Sequence, residues 1–142
     1  MTDNWFIWAL LSAIFAAFTA IFAKIGIAGV NSDLATLIRT VVIFVVLAGF
    51  IYWTGKWSNP FELSPKTWIF LILSGLATGA SWVCYFRALK MGDASKVAPV
   101  DKFSLVLVAI FSVLFLKEHP SFREWCGIAM IGGGVVLLAF KI

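Results

Sequence analysis

The sequence predicts an all-α integral membrane protein with five transmembrane helices, and three observations carry that prediction. The 142 residues are 62% hydrophobic and only 13% charged. Their mean hydropathy is +1.01, far more apolar surface than a soluble core of this size can hide. The apolar residues fall into runs near the ~20 that cross a hydrocarbon core of ~30 Å, and the breaks between runs gather glycine, proline, serine and charge. At this length residues 1–142 form a single domain. The net charge of +4 fits basic residues at membrane interfaces, so membrane lipid is a partner and nucleic acid is not.

The first span covers residues 5–23, opening with Trp5 and Trp8 and closing at Lys24, an aromatic and basic anchor pair. The four residues before it carry Asp3 and no Lys or Arg, so it reads as a retained helix and not a cleaved signal. Ser12, Ala16, Thr19 and Ala23 share one narrow face. The second span, 34–53, follows the turn GVNSD, with Ser32 or Asp33 as N-cap. It is aliphatic after its first two turns, which hold Thr36, Arg39 and Thr40. Arg39 lies ~7 Å inside the boundary at 1.5 Å per residue, where a charge requires a partner or water.

The connection 54–66, TGKWSNPFELSPK, is an interfacial loop. The third span, 68–89, carries Gly75 and Gly79, a close-packing pair. Ser74, Thr78, Ser81 and Tyr85 fall within an arc of about 60° at ~100° per residue, with Trp82 beside them. The fourth span, 97–116, admits Pro99 in its first turn. Asp101, Ser104 and Ser112 lie within roughly 80° of one another, and Lys102 follows Asp101. The fifth span, 125–140, is glycine-rich and reads as packing.

Polar stripes on the first, third and fourth spans point to a shared polar cavity if those faces converge. A single Ser or Thr more often bonds its own helix; the alignment is the signal. Measured from one membrane face, Thr19, Arg39, Tyr85 and Asp101 lie roughly 6 to 8 Å deep, a polar layer in which Asp101 meets Arg39, with Lys102 as competitor. Such a pair either ties two helices together or serves the cavity. Cys84 and Cys126 have no metal or disulfide spacing, and His119 is a loop residue. No paired carboxylates, nucleophile with a base, or metal cluster is present, so no catalytic residue, metal or cofactor is expected and the chain is not read as an enzyme. One membrane face holds Lys56, Lys66, Lys117 and Arg123 and the other Lys24, Arg87, Lys90, Lys96 and Lys141. That near balance predicts insertion in both orientations, unless Arg39 and Lys102 are counted, which favours an outward N-terminus.

The segments SWVCYFRALKMG and VAPVDKFS, the Glu118 after the fourth span and EWCGIAMIGGGVVLL resemble the EamA-type domain of the drug/metabolite transporter superfamily, over essentially the whole chain. The match is to the small five-helix bacterial and archaeal branch, a single repeat unit where larger relatives carry two. The resemblance implies inverted halves around a central cavity lined by the first, third and fourth helices, in the inner membrane of a prokaryote. It also implies alternating-access movement of a small metabolite or drug-like solute. The expected cavity comprises Ser12, Thr19, Arg39, Ser74, Thr78, Ser81, Trp82, Tyr85, Asp101, Lys102 and Ser104, shared between two copies in an antiparallel homodimer. The first span lacks the glutamate of the four-helix multidrug relatives, which sets proton coupling by that route aside. The rival expectation is a membrane scaffold or assembly subunit that transports nothing.

Overall fold

The computed structural model describes residues 5–140; the leader with its Asp3, and Lys141 of the charge balance, lie outside the described residues. Regular structure among the described residues is wholly helical: α1 (Trp5–Gly26), α2 (Ser32–Trp53), α3 (Pro65–Met91), α4 (Ala94–Asp101), α5 (Ser104–Phe111) and α6 (Phe122–Ala139), with a 3₁₀ turn at Pro60–Glu62 and a wide π turn at Ser112–Leu116. Counting Ala94–Leu116 as one, five helices are long and apolar enough to cross a membrane. Their flanks expose large apolar side chains, Phe44 at 71% and Trp53 at 86% among them. Only lipid or another protein surface can cover such flanks.

The described chain forms two compact units, residues 22–91 and residues 5–21 with 92–140. In the first, α2 packs on α3. Its core lies at the end where the turn between α1 and α2 meets the end of α3: Ile27, Phe86 and Leu89 are buried there with Ser32 and Thr36. The cap of α2 is Asn31, not Ser32 or Asp33 as the sequence suggests. Its side-chain oxygen accepts from the amides of Asp33 at 2.8 Å and Leu34 at 3.3 Å, satisfying two amides of the first turn. Ser32 is thereby inside the helix, where its carbonyl accepts the Thr36 hydroxyl. At the far end of α2, Gly55 follows the cap Thr54 with φ +65°, a left-handed backbone that glycine adopts without a Cβ clash. Trp68 Nε1, in the first turn of α3, donates to the Pro60 carbonyl in the loop beyond. Pro65 starts α3, its absent N–H costing nothing in a first turn.

In the second unit α6 packs on both α4 and α5. Its start is a reciprocal cap: the Ser121 hydroxyl accepts the Glu124 amide, and the Glu124 carboxylate accepts the Ser121 amide at 2.6 Å. The fourth span differs from expectation. Helix begins at Ala94, so Pro99 sits in the body of α4 and not in its first turn. There it has no N–H to donate one turn back, and α4 ends two residues later. Lys102 N then donates to Pro99 O, Phe103 N to Val100 O, Leu105 N to Lys102 O and Val106 N to Phe103 O, at 2.9–3.0 Å. These three-residue bonds wind the chain more tightly before α5 resumes.

Where α5 meets α6, a Cβ on Gly132 would lie 3.1 Å from Val106 Cγ2, whereas one on Gly133 meets open space. Replacing helical glycine by alanine gains about 0.5–1 kcal/mol. Gly133→Ala is therefore expected to raise stability by that amount in detergent unfolding, while Gly132→Ala forfeits the gain because Val106 must move. Adding Val106→Ala restores it. Equal effects at the two glycines would show that α5 and α6 do not approach this closely.

Candidate functional site

The polar groups of residues 22–91 divide into a lock at the helix ends and a cation inside the span. In the lock, Arg87 near the end of α3 donates through Nε and Nη2 to the two carboxylate oxygens of Asp33, at 3.0 and 2.8 Å. Lys90 Nζ donates to the Val30 carbonyl in the turn before α2 at 2.6 Å, and Lys24 of α1 donates to the Leu89 carbonyl. Lys24 and Lys90 lie in the last turns of α1 and α3, where unpaired carbonyls favour positive charge. These three cations, which the sequence offers as topology signals, thus bind α1, α2 and α3 to one another.

Arg39 lies six residues, about one and two-thirds turns, farther along α2 than Asp33. Its guanidinium carbon is 4.4 Å from the centre of the Trp82 ring and 5.4 Å from that of Phe86. Phe86 is 2% exposed and meets the Tyr85 ring edge-on at 6.4 Å, so the floor under the cation is rigid. A guanidinium over aromatic faces gains about 0.5–2 kcal/mol. Sequence reading selects Arg39, Trp82 and Tyr85 but passes over Phe86. Its position four residues after Trp82, on the same helix face, is the signal that identifies it.

The remaining candidates of this unit, Ser74, Thr78 and Ser81, lie exposed along α3. The Thr78 hydroxyl donates to the Ser74 carbonyl at 2.8 Å, and Thr36 and Thr40 bond back along α2 in the same way. These donors serve their own helices, and the hydroxyl oxygens remain as acceptors.

In the other unit Ser12 is exposed and Thr19 half-buried on α1. Asp101 is half-buried, and Lys102, the competitor for it in the sequence, lies 3.4 Å from its carboxylate. The tight turn alters the stripe. Residues three apart stand nearly in line where the chain winds at three per turn, so the angles of a regular helix no longer describe this stretch. Ser112 donates to the Ala109 carbonyl. The break in the span and the polar pair coincide.

Residues 3–140 match the EamA-like transporter family, and the chain belongs to that family. An uncharacterized transporter from the cobO 3′ region of a Sinorhizobium species is 60% identical over 139 residues, 98% of this chain and 99% of that one. The uncharacterized transporter YxxF of Bacillus subtilis is 26% identical across 92% of this chain but only 41% of its own length. A probable 4-amino-4-deoxy-L-arabinose-phosphoundecaprenol flippase subunit, ArnE, of Pseudomonas fluorescens is 27% identical over 88 residues, 61% of this chain and 75% of that subunit. No solved structure matches the chain significantly. The protein is thus a multi-pass membrane protein of a transporter family whose relatives are small transporters of the drug/metabolite superfamily.

If the ring beneath Arg39 supplies a cation–π contact and not simple cover, Arg39 and Trp82 are energetically coupled. A double-mutant cycle of Arg39→Gln and Trp82→Leu, read by unfolding in detergent, is expected to give about 0.5–2 kcal/mol of coupling. Strict additivity would reduce Trp82 to packing.

Proposed function

We propose that this chain is one half of a secondary transporter, and that two copies, inserted antiparallel, enclose a cavity through which a small metabolite or drug-like solute crosses the cytoplasmic membrane of a prokaryote. The observation that carries this reading is one of size. The chain belongs to a transporter family and aligns along 92% of its length to 41% of the B. subtilis relative, about the share that one half of such a transporter would take. Five spans also place the two ends of the chain on opposite sides of a membrane. An inverted second copy then supplies the pseudo-twofold arrangement in which two halves rock around a central site.

In this reading the cavity is lined by the first, third and fourth spans through Ser12, Thr19, Ser74, Thr78, Ser81, Trp82, Tyr85, Asp101, Lys102 and Ser104, with Arg39 from the second. The interrupted fourth span supports it, because irregular backbone inside a membrane is tolerated where it lines a cavity or is buried in protein. A second reading has a specific observation in its favour: the ArnE relative is described as a flippase subunit. Here the partner is a different chain and the cargo a lipid-linked solute. The scaffold reading predicts no movement of any solute.

Screening the purified protein for thermal shifts against a metabolite library, then measuring uptake of each hit into liposomes, separates these readings. Asp101→Asn is expected to abolish uptake while insertion and dimer formation persist. If Asp101 only neutralises Arg39, the change strands a half-buried cation inside the span, and stability falls before uptake can be read. The double change with Arg39→Gln then recovers stability; recovery of full uptake as well would exclude a transport role for Asp101. For topology, reporters active on opposite membrane faces, fused in parallel to the C-terminus, are expected both to give signal. Signal from one alone would rule out the antiparallel homodimer and favour a heteromeric partner.

A further inference from the structure

We infer that Arg39, backed by Trp82 and Phe86, is the binding point for the anionic group of an organic phosphate or carboxylate. The inference rests on the cavity reading above and names the chemical class of ligand that the cavity takes. Its first ground is the cost of the residue. Arg39 is seven residues into α2, about 10 Å along the helix at 1.5 Å per residue. A guanidinium does not shed its proton in a protein, so it carries a full charge into the span. A residue needed only to cover Trp82 and Phe86 would be apolar at this depth.

The second ground is the fate of the carboxylates. Residues 22–91 contain two acidic side chains, Asp33 and Glu62. Asp33 is held by both donors of Arg87, and Glu62 accepts from Asn59 in the loop between α2 and α3. Neither neutralises Arg39, which lies over the two rings and has Tyr85 as a further electrostatic neighbour.

The third ground is geometry. An aromatic face attracts the charge of a guanidinium, but the N–H donors point outward from the edge of its plane and are not used up by stacking. That edge is a fork with the spacing of two oxygens on a carboxylate or phosphate. The apolar walls formed by Trp82 and Phe86 weaken competition from water, and they suit a ligand that carries an apolar body on its anionic head. Lys is not equivalent here, because a point charge neither stacks nor offers the fork.

The same head group occurs on free metabolites and on lipids, and one experiment tells the sources apart. The chain has three arginines, Arg39, Arg87 and Arg123. Protein labelled with ¹⁵N-arginine in phosphatidylcholine nanodiscs therefore gives three side-chain Nε–Hε signals, with Arg39 assigned by its loss in Arg39→Lys. One series titrates phenyl phosphate and benzoate; a second replaces part of the phosphatidylcholine with phosphatidic acid and adds no soluble anion. The Arg39 signal is expected to move saturably while Arg87 and Arg123 stay in place. Arg39→Lys, with its Arg87 signal unchanged as the check on folding, is expected to weaken phenyl phosphate binding by at least about tenfold, 1.4 kcal/mol. Movement in the first series identifies a free organic anion, and movement in the second alone identifies a lipid head group.

No movement in either series, or equal movement of all three signals, overturns the inference. Uptake of an uncharged solute at the same rate by wild type and Arg39→Lys overturns it too, while leaving the transporter standing. Saturable binding at Arg39 by a protein that moves none of these probes leaves the anion site standing and removes the transporter.

Discussion

The arrangement of residues 22–91 depends on three cations that satisfy acceptors at the helix ends. A helix leaves its last carbonyls unpaired, and near a membrane boundary water is an uncertain partner for them. Lys24 serves the end of α3 at Leu89, Lys90 serves the turn before α2 at Val30, and Arg87 grips Asp33 with both of its donors. Beneath these bonds lie the buried side chains Phe86 and Leu89. The apolar flanks of the helices contribute little to this specificity, since lipid is as good a neighbour for them as another helix. Directional polar bonds at one end therefore decide how these helices are offset and rotated.

That arrangement sets the character of the site. By taking Asp33, Arg87 engages one of the two carboxylates of residues 22–91. By fixing the end of α3, the lock holds Trp82 and Phe86 in one position opposite α2. Arg39 is left with ring faces on one side, the setting on which the proposed anion site rests. The hydroxyl stripes differ in kind: Thr36, Thr40 and Thr78 are donors to their own helices, so they soften a surface more than they define a ligand.

The fourth span follows a separate rule. Pro99 stands within α4, the chain tightens over the next residues, and Asp101, Lys102 and Ser104 occupy that tightened turn. A proline in a helix body removes one hydrogen bond and crowds the preceding turn, so the adjoining backbone is the place where a span most readily departs from regular winding. Polar side chains at the same point keep company with backbone groups that regular helix would otherwise hide.

Much of this was legible without coordinates. Five spans, their approximate limits and family membership follow from run length, composition and local motifs, all properties of neighbouring residues. Even the reciprocal cap at Ser121 and Glu124 is written as Ser-x-x-Glu, three residues ahead of where the apolar run alone would start α6. Asn31 shows the limit: Asn, Ser and Asp stand in a row, each able to cap, and only the backbone turn selects one. The Pro99 break is legible as a proline but not as an interruption, because its effect depends on where the helix begins. Pairings lay beyond the sequence altogether. Asp33 and Arg87 are 54 residues apart, and whether Asp33 meets Arg87 or another cation depends on the rotation and vertical offset of two helices. Hydrophobic length alone determined that these segments cross a membrane, since burial in lipid needs no partner; tertiary structure alone decided which charge meets which, since a directional bond needs both ends in place.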